Sequence, residues 1–198
     1  GGCSEDCAYC PQSARYNTGI ESEKLMPKED ILAAAGRAKA AGSTRFCMGA
    51  AWRSARQNKD FDEVLDVVSG VAELGLEVCA TLGMLTNEQA AQLKEAGLYA
   101  YNHNLDSSED FYKKIITTRT YENRLNTIKN VQEHNISVCS GGIIGMGETH
   151  KDRIGLLYTL SNLNPQPESV PENALIAVPG TPMENQPKVP SWDMARMI

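Results

Sequence analysis

Residues 44–81 read TRFCMGAAWRSARQNKDFDEVLDVVSGVAELGLEVCAT, and their pattern decides the fold. Short apolar runs at 44–49 and 76–81 enclose a longer segment, 61–74, whose apolar residues recur at helical spacing and which stops before Gly75. Strand, helix and strand in that order make a crossover unit, whose two strands run parallel. The same alternation continues on both sides. Strands are predicted at 99–104, 136–142 and 169–178, with Gly1 and Gly2 ending an earlier one. Helices are predicted at 28–41, 86–95, 121–134 and 151–163, the first two stopping before Gly42 and Gly97 as helices ending on a left-handed glycine do. A further helix begins after the proline-rich stretch 179–190. The class is α/β with a parallel sheet.

Periodicity alone does not choose between an open doubly wound sheet and a barrel. Cys47, Cys79, Asn104, Cys139 and Asn173 fall late in successive predicted strands, which places them on one rim. A barrel assembles chemistry on its C-terminal face from many strands, whereas an open sheet concentrates it at one switch point. The expected architecture is therefore a (β/α)8 TIM-type barrel, incomplete at about six strands, with residues 1–198 forming one core domain cut at both ends. A chain that stops short of closure is expected to expose apolar core and open strand edges, and so to aggregate.

With 198 residues, 41% of them apolar, the chain has enough material for a core. A formal net charge of −6 argues against a surface that neutralises phosphates, so no nucleic-acid partner is expected and a small molecule is the better substrate class. No apolar run approaches the roughly 18 residues of a membrane span and no signal pattern opens the chain, so no membrane partner and a cytoplasmic location are expected. In that setting the six cysteines read as reduced thiols.

Three of those cysteines are crowded into one short segment, Cys3-Ser4-Glu5-Asp6-Cys7-Ala8-Tyr9-Cys10. Thiolates spaced C-x3-C-x2-C on a loop can hold three irons of a cubane cluster and leave the fourth iron open to a ligand. A structural zinc site is the competing reading, and it ordinarily wants four protein ligands. The other cysteines stand alone at 47, 79 and 139. Taken singly, a strand cysteine is usually a small buried apolar residue.

The cysteine loop, with Tyr9 before its last thiol, resembles the signature of the radical S-adenosylmethionine (SAM) superfamily. Longer blocks resemble one family within it, the biotin synthases: GCSEDCAYCPQSARY (2–16), STRFCMGAAW (43–52), YNHNLD (101–106), TTRTY (117–121), CSGG (139–142) and ESVP (168–171). They occur in order along nearly the whole chain. Ser4 departs from the pattern, standing where a proline is common, and the stretch after Val178 matches loosely.

The resemblance implies a set of roles. Cys3, Cys7 and Cys10 would hold a 4Fe-4S cluster, whose open iron chelates SAM, and Cys47, Cys79 and Cys139 a 2Fe-2S cluster that donates sulfur. Arg45, on the same strand face as Cys47 by alternation, would lie beside that second cluster, whose fourth ligand is expected beyond Ile198. Tyr9, Asn104, Asp106, Arg124 and Ile143 would contact SAM: Tyr9 near the adenine, Asp106 on the ribose hydroxyls, Arg124 on the carboxylate. Ile143 lies in GIIGMGE (142–148), which is similar to a glycine-rich stretch of the superfamily. Asn102, Asn104 and Asn173 would contact substrate. Asn102, Asn104 and Asp106 alternate, so a continuing strand turns all three to one face. Helix capping is the plain alternative for Asp106, and a solvated helix position that for Arg124.

The implied activity is sulfur insertion into dethiobiotin by a radical SAM sulfurtransferase, with no acid or base residue. A flavodoxin or ferredoxin would supply electrons, and the full protein would be a homodimer. Two other readings stay open: another radical SAM enzyme of similar barrel, such as a hydrogenase-maturation or thiamine-pathway lyase, and a non-catalytic iron-sulfur electron carrier.

Overall fold

The computed structural model describes residues 2–198. In chain order the elements are α1 (Lys28–Ala40), β1 (Arg45–Gly49), α2 (Lys59–Glu73), β2 (Glu77–Thr81), α3 (Asn87–Glu95), β3 (Leu98–Asn102) and α4 (Glu109–Ile115). They continue with α5 (Tyr121–Glu133), β4 (Ser137–Cys139), β5 (Gly142–Ile144), α6 (His150–Ser161), β6 (Glu172–Ala174) and α7 (Ser191–Ala195). The chain divides into two compact units, one of residues 23–102 and 127–138, the other of residues 1–22, 103–126 and 139–198. None of the helices among the described residues is long and apolar enough to cross a membrane.

The first unit is built on the sheet order β1-β2-β3-β4, with β1 to β2 and β2 to β3 parallel. Gly42, Gly75 and Gly97 follow α1, α2 and α3 at φ of 93°, 78° and 99°, the left-handed stops expected from their positions. Thr86 caps α3 in a capping box with Gln89. Val67, Val68 and Val71 of α2 are buried, as are Val78 and Ala80 of β2, Leu98, Ala100 and Tyr101 of β3, and Ile128 and Val131 of α5. Each fully buried valine, leucine or isoleucine among them contributes roughly 1.5–3 kcal/mol by leaving water. Tyr101 is wholly buried, yet its hydroxyl donates to the Gly83 carbonyl at 2.5 Å and accepts from the Leu82 amide at 3.0 Å.

The second unit carries β5 and β6, which pair in parallel with Gly142 opposite Glu172 and Ile143 opposite Asn173. Its core holds Leu105, Phe111, Tyr112, Ile115, Ile116, Ile144 and Leu156.

Three strand expectations change. The run 136–142 is two strands, β4 and β5, parted at Ser140 and Gly141, and the run 169–178 shortens to β6. Cys139 bridges Ser169 in the same register that later joins β5 to β6, so one ladder is interrupted at its middle. Pro171 lacks an amide to continue it, and its carbonyl lies so close to Gly141 that a Cβ there would sit 2.0 Å away. The run 99–104 ends at Asn102. Gly1 lies outside the described residues, and Cys3, expected just past a strand end, makes an isolated parallel bridge to Ser13.

Candidate active site

The cysteine loop is closed on itself and then fastened to a second segment. The Cys3 amide donates to the Gln12 carbonyl and the Ala14 amide to that of Cys3, both at 2.8 Å, while the Cys10 amide donates to Cys7 at 2.9 Å. The Ala8 amide donates to Ile115 at 2.9 Å and the Asp6 amide to the Thr118 hydroxyl at 3.1 Å. The Asp6 carboxylate in turn accepts from the amides of Thr117 at 2.9 Å and Thr118 at 3.2 Å, and from both threonine hydroxyls. Burial alone would raise the Asp6 carboxyl, but these hydrogen bonds outweigh it and hold the group at about 2. The last turn of α4 and the threonines after it thus fix the loop that carries the thiols.

All three thiols are free, Cys7 buried and Cys3 and Cys10 partly so. Burial pushes Cys7 up to about 11 against the opposing charge of Arg119, and it raises Cys10 as well. Cys10 acts electrostatically on Cys7, and Cys3 on Cys10. Among the described residues, no three His, Cys, Asp or Glu side chains converge on the position of a single ion. Three soft donors on one fastened loop fit the cluster, with loss of the thiol protons on loading.

Beside the loop stands a buried charged group. Asp106 and Arg124 form an ion pair with side chains 4% and 7% exposed, and the Tyr9 hydroxyl donates to the same Asp106 oxygen at 2.7 Å. Burial acts to lower Arg124, but Asp106 more than offsets it and holds the guanidinium charged. Tyr9 is raised, first by burial and then by Asp106. Tyr112, fully buried in the middle of α4, accepts from Arg124 Nε and from Arg119 Nε, each at 3.1 Å. It packs edge-on against Tyr121, ring centroids 5.4 Å apart.

The alternation expected for Asn102, Asn104 and Asp106 does not hold, because β3 ends at Asn102 and Asp106 takes a left-handed φ of 67°. That turn brings the Asp106 carboxylate to Arg124 and Tyr9. Asn104 instead accepts from the Gly141 amide at 3.1 Å. The cap of α4 is Ser108, not Asp106. Ile143 donates its amide to the Asp106 carbonyl at 2.9 Å, and Asn173, its register partner, donates to the Gly142 carbonyl at 3.4 Å.

Within the sheet of the other unit, Cys47 and Cys79 are register partners at the middle of β1 and β2, on one face, rather than late in their strands. Arg45 pairs with Glu77 at 2.9 Å and lies over the Tyr99 ring at 4.9 Å. Cys139 ends β4, and its carbonyl accepts from the His103 amide at 2.9 Å.

Sequence reasoning missed α4 and with it Tyr112, the threonine clamp and the approach of Arg119 to Cys7. The signal for the helix was present in Ser108 followed by Glu109 and Asp110, with Lys113 and Lys114 a turn later, a cap and charges suited to the helix dipole. The block TTRTY was noted without any role for its residues. Their use depends on loop contacts more than a hundred positions away in sequence.

The pattern of the Radical SAM superfamily matches residues 1–158. The chain is 65% identical to a curated biotin synthase of Cytophaga hutchinsonii and 61% to one of Nostoc punctiforme, in each case over all of this chain and 59% of the relative. A mitochondrial biotin synthase of Arabidopsis thaliana is 57% identical over all of this chain and 53% of its own length. The chain thus spans somewhat more than half the length of these relatives. Among solved structures, methylornithine synthase (PylB) superposes with a TM-score of 0.82 at 20% identity, covering 99% of this chain and 59% of its own. The FeFe-hydrogenase maturase HydG from Carboxydothermus hydrogenoformans does so at 0.82 and 16%, covering 100% and 48%. These likenesses show the fold, six strands of the parallel (β/α)8 type seen in such proteins.

Proposed function

The chain belongs to the radical SAM superfamily, and on that premise we propose that it is the core of a biotin synthase, inserting sulfur between two unactivated carbons of dethiobiotin. The superfamily implies a 4Fe-4S cluster and SAM, which together supply a radical able to abstract hydrogen from such carbons. The observation that carries the finer reading is identity of 57–65% with curated biotin synthases along the whole chain.

Cys3, Cys7 and Cys10 are the ligands we assign to that cluster, on a loop held by Thr117, Thr118 and Ile115. Arg124 and Asp106 neutralise each other in a buried setting. A ligand that offers a carboxylate to the one and hydroxyl donors to the other suits both, and SAM has each group. Tyr9, Asn104 and Ile143 are assigned to SAM as well, and Asn102, Asn104 and Asn173 to substrate; Tyr9 donates to Asp106 and the Ile143 amide to the Asp106 carbonyl. Cys47, Cys79 and Cys139 are assigned to a sulfur-donating 2Fe-2S cluster with Arg45 near it. Support comes from the side-by-side register of Cys47 and Cys79, which sets two soft thiols on one sheet face. A flavodoxin or ferredoxin as electron donor and a homodimeric full-length protein complete the proposal.

The test is anaerobic reconstitution of the full-length protein with iron and sulfide, followed by turnover with SAM, dethiobiotin and a one-electron donor. Wild type should yield biotin and deoxyadenosine. Cys7→Ala should yield neither, while Cys79→Ala should keep the SAM-binding cluster and lose biotin. Deoxyadenosine without biotin in the wild type would point to another radical SAM reaction, and no SAM binding at all to an electron carrier.

A further inference from the structure

Arg119 follows the threonine clamp and is half-buried. Its Nε donates to the buried Tyr112 hydroxyl at 3.1 Å, and its Nη2 approaches the Cys7 sulfur at 3.7 Å. Tyr112 is 0% exposed and also accepts from Arg124, so one anchored hydroxyl holds two guanidinium groups and aims one of them at a thiol. Arg119 is the cation that acts on Cys7 most strongly, ahead of Arg124. The backbone of Cys3 and Cys10 is held by main-chain hydrogen bonds within the loop.

We infer that Arg119 sets the reduction potential of the iron-sulfur cluster through the charge it places on the Cys7 sulfur. The inference rests on Cys7 being a cluster ligand. Adding an electron to a thiolate-bound cluster adds one negative charge, shared with the sulfurs, and a positive donor on one sulfur favours the more negative state. The electron comes from the external one-electron donor and no proton need move, because arginine stays charged. The guanidinium fork suits the position, since Nε stays on Tyr112 while Nη2 reaches sulfur, and an ammonium has no such pair of fixed, separate donors. Arg119 is thus a positioning and tuning residue and takes no part in bond making.

The test is a redox titration of the four-iron cluster, followed by electron paramagnetic resonance, on the full-length protein reconstituted with iron and sulfide. Arg119→Met should shift the midpoint to a more negative value at unchanged iron and sulfide content. Arg119→Gln, neutral but still able to donate to Tyr112, should shift it the same way, and Arg119→Lys should shift it less than either. An unchanged midpoint in loaded Met and Gln variants would overturn this inference alone. Loss of the cluster from both would overturn it too, making Arg119 a residue of assembly. A wild-type protein that takes up no iron would remove the cluster reading itself.

Discussion

Arg124 and Asp106 are each more than nine-tenths buried, and each is the other's charge partner. Removing two charges from water costs several kcal/mol, and the pair recovers this only because Tyr9 and Tyr112 supply further hydrogen bonds. Deleting one partner leaves the other charged and uncompensated. Arg124→Met is therefore expected to lower unfolding stability by about 3–5 kcal/mol, measured by denaturant titration. Adding Asp106→Asn to it should restore part of the loss. If the double variant is as unstable as the single one, packing rather than charge explains the arginine. The residue types of this group were legible in the sequence, but their pairing was not. It depends on the left-handed turn at Asp106, and nothing in YNHNLD announces where its strand stops.

At the scale of elements, the helices were the legible part. Apolar spacing marks α1, α2, α3, α5 and α6, and the glycine stops lie close to where the pattern sets them. Strands were less so, because a short apolar run does not reveal where its ladder breaks. The break at Gly141 depends on the carbonyl of Pro171, thirty positions on. A Cβ at 2.0 Å from that oxygen cannot be accommodated unless the backbone moves. Since Pro171 and its neighbours are themselves tied to β5, Gly141→Ala should cost about 3 kcal/mol or more, read as a fall in melting temperature. Wild-type stability in this variant would mean that the ladder is looser than its register implies.

For the molecule as a whole, Glu172 on β6 links stability to pH. Neither of its buried carboxylate oxygens has a hydrogen-bond partner among the described residues, and burial raises the group from 4.5 to about 7. A folded-state value above the unfolded one means that the contribution is fully present below about 4.5 and is lost as pH rises through 7. Glu172→Gln, neutral throughout, should be more stable than the wild type at pH 8 and equal to it near pH 4, as read from melting temperature against pH. Parallel curves for the two proteins would show that the carboxyl is solvated or paired.

By itself the sequence determined the α/β class, the course of α1, α2, α3, α5 and α6, and the C-x3-C-x2-C spacing of the first three cysteines, because hydrophobic period, helix-stopping glycines and thiol spacing are local properties of the chain. Tertiary structure alone decided which charges meet, where the ladder yields to Pro171, and that Arg119 reaches Cys7. Those contacts join residues eighteen to more than a hundred positions apart, and a pattern read along the chain carries no information about approach in space.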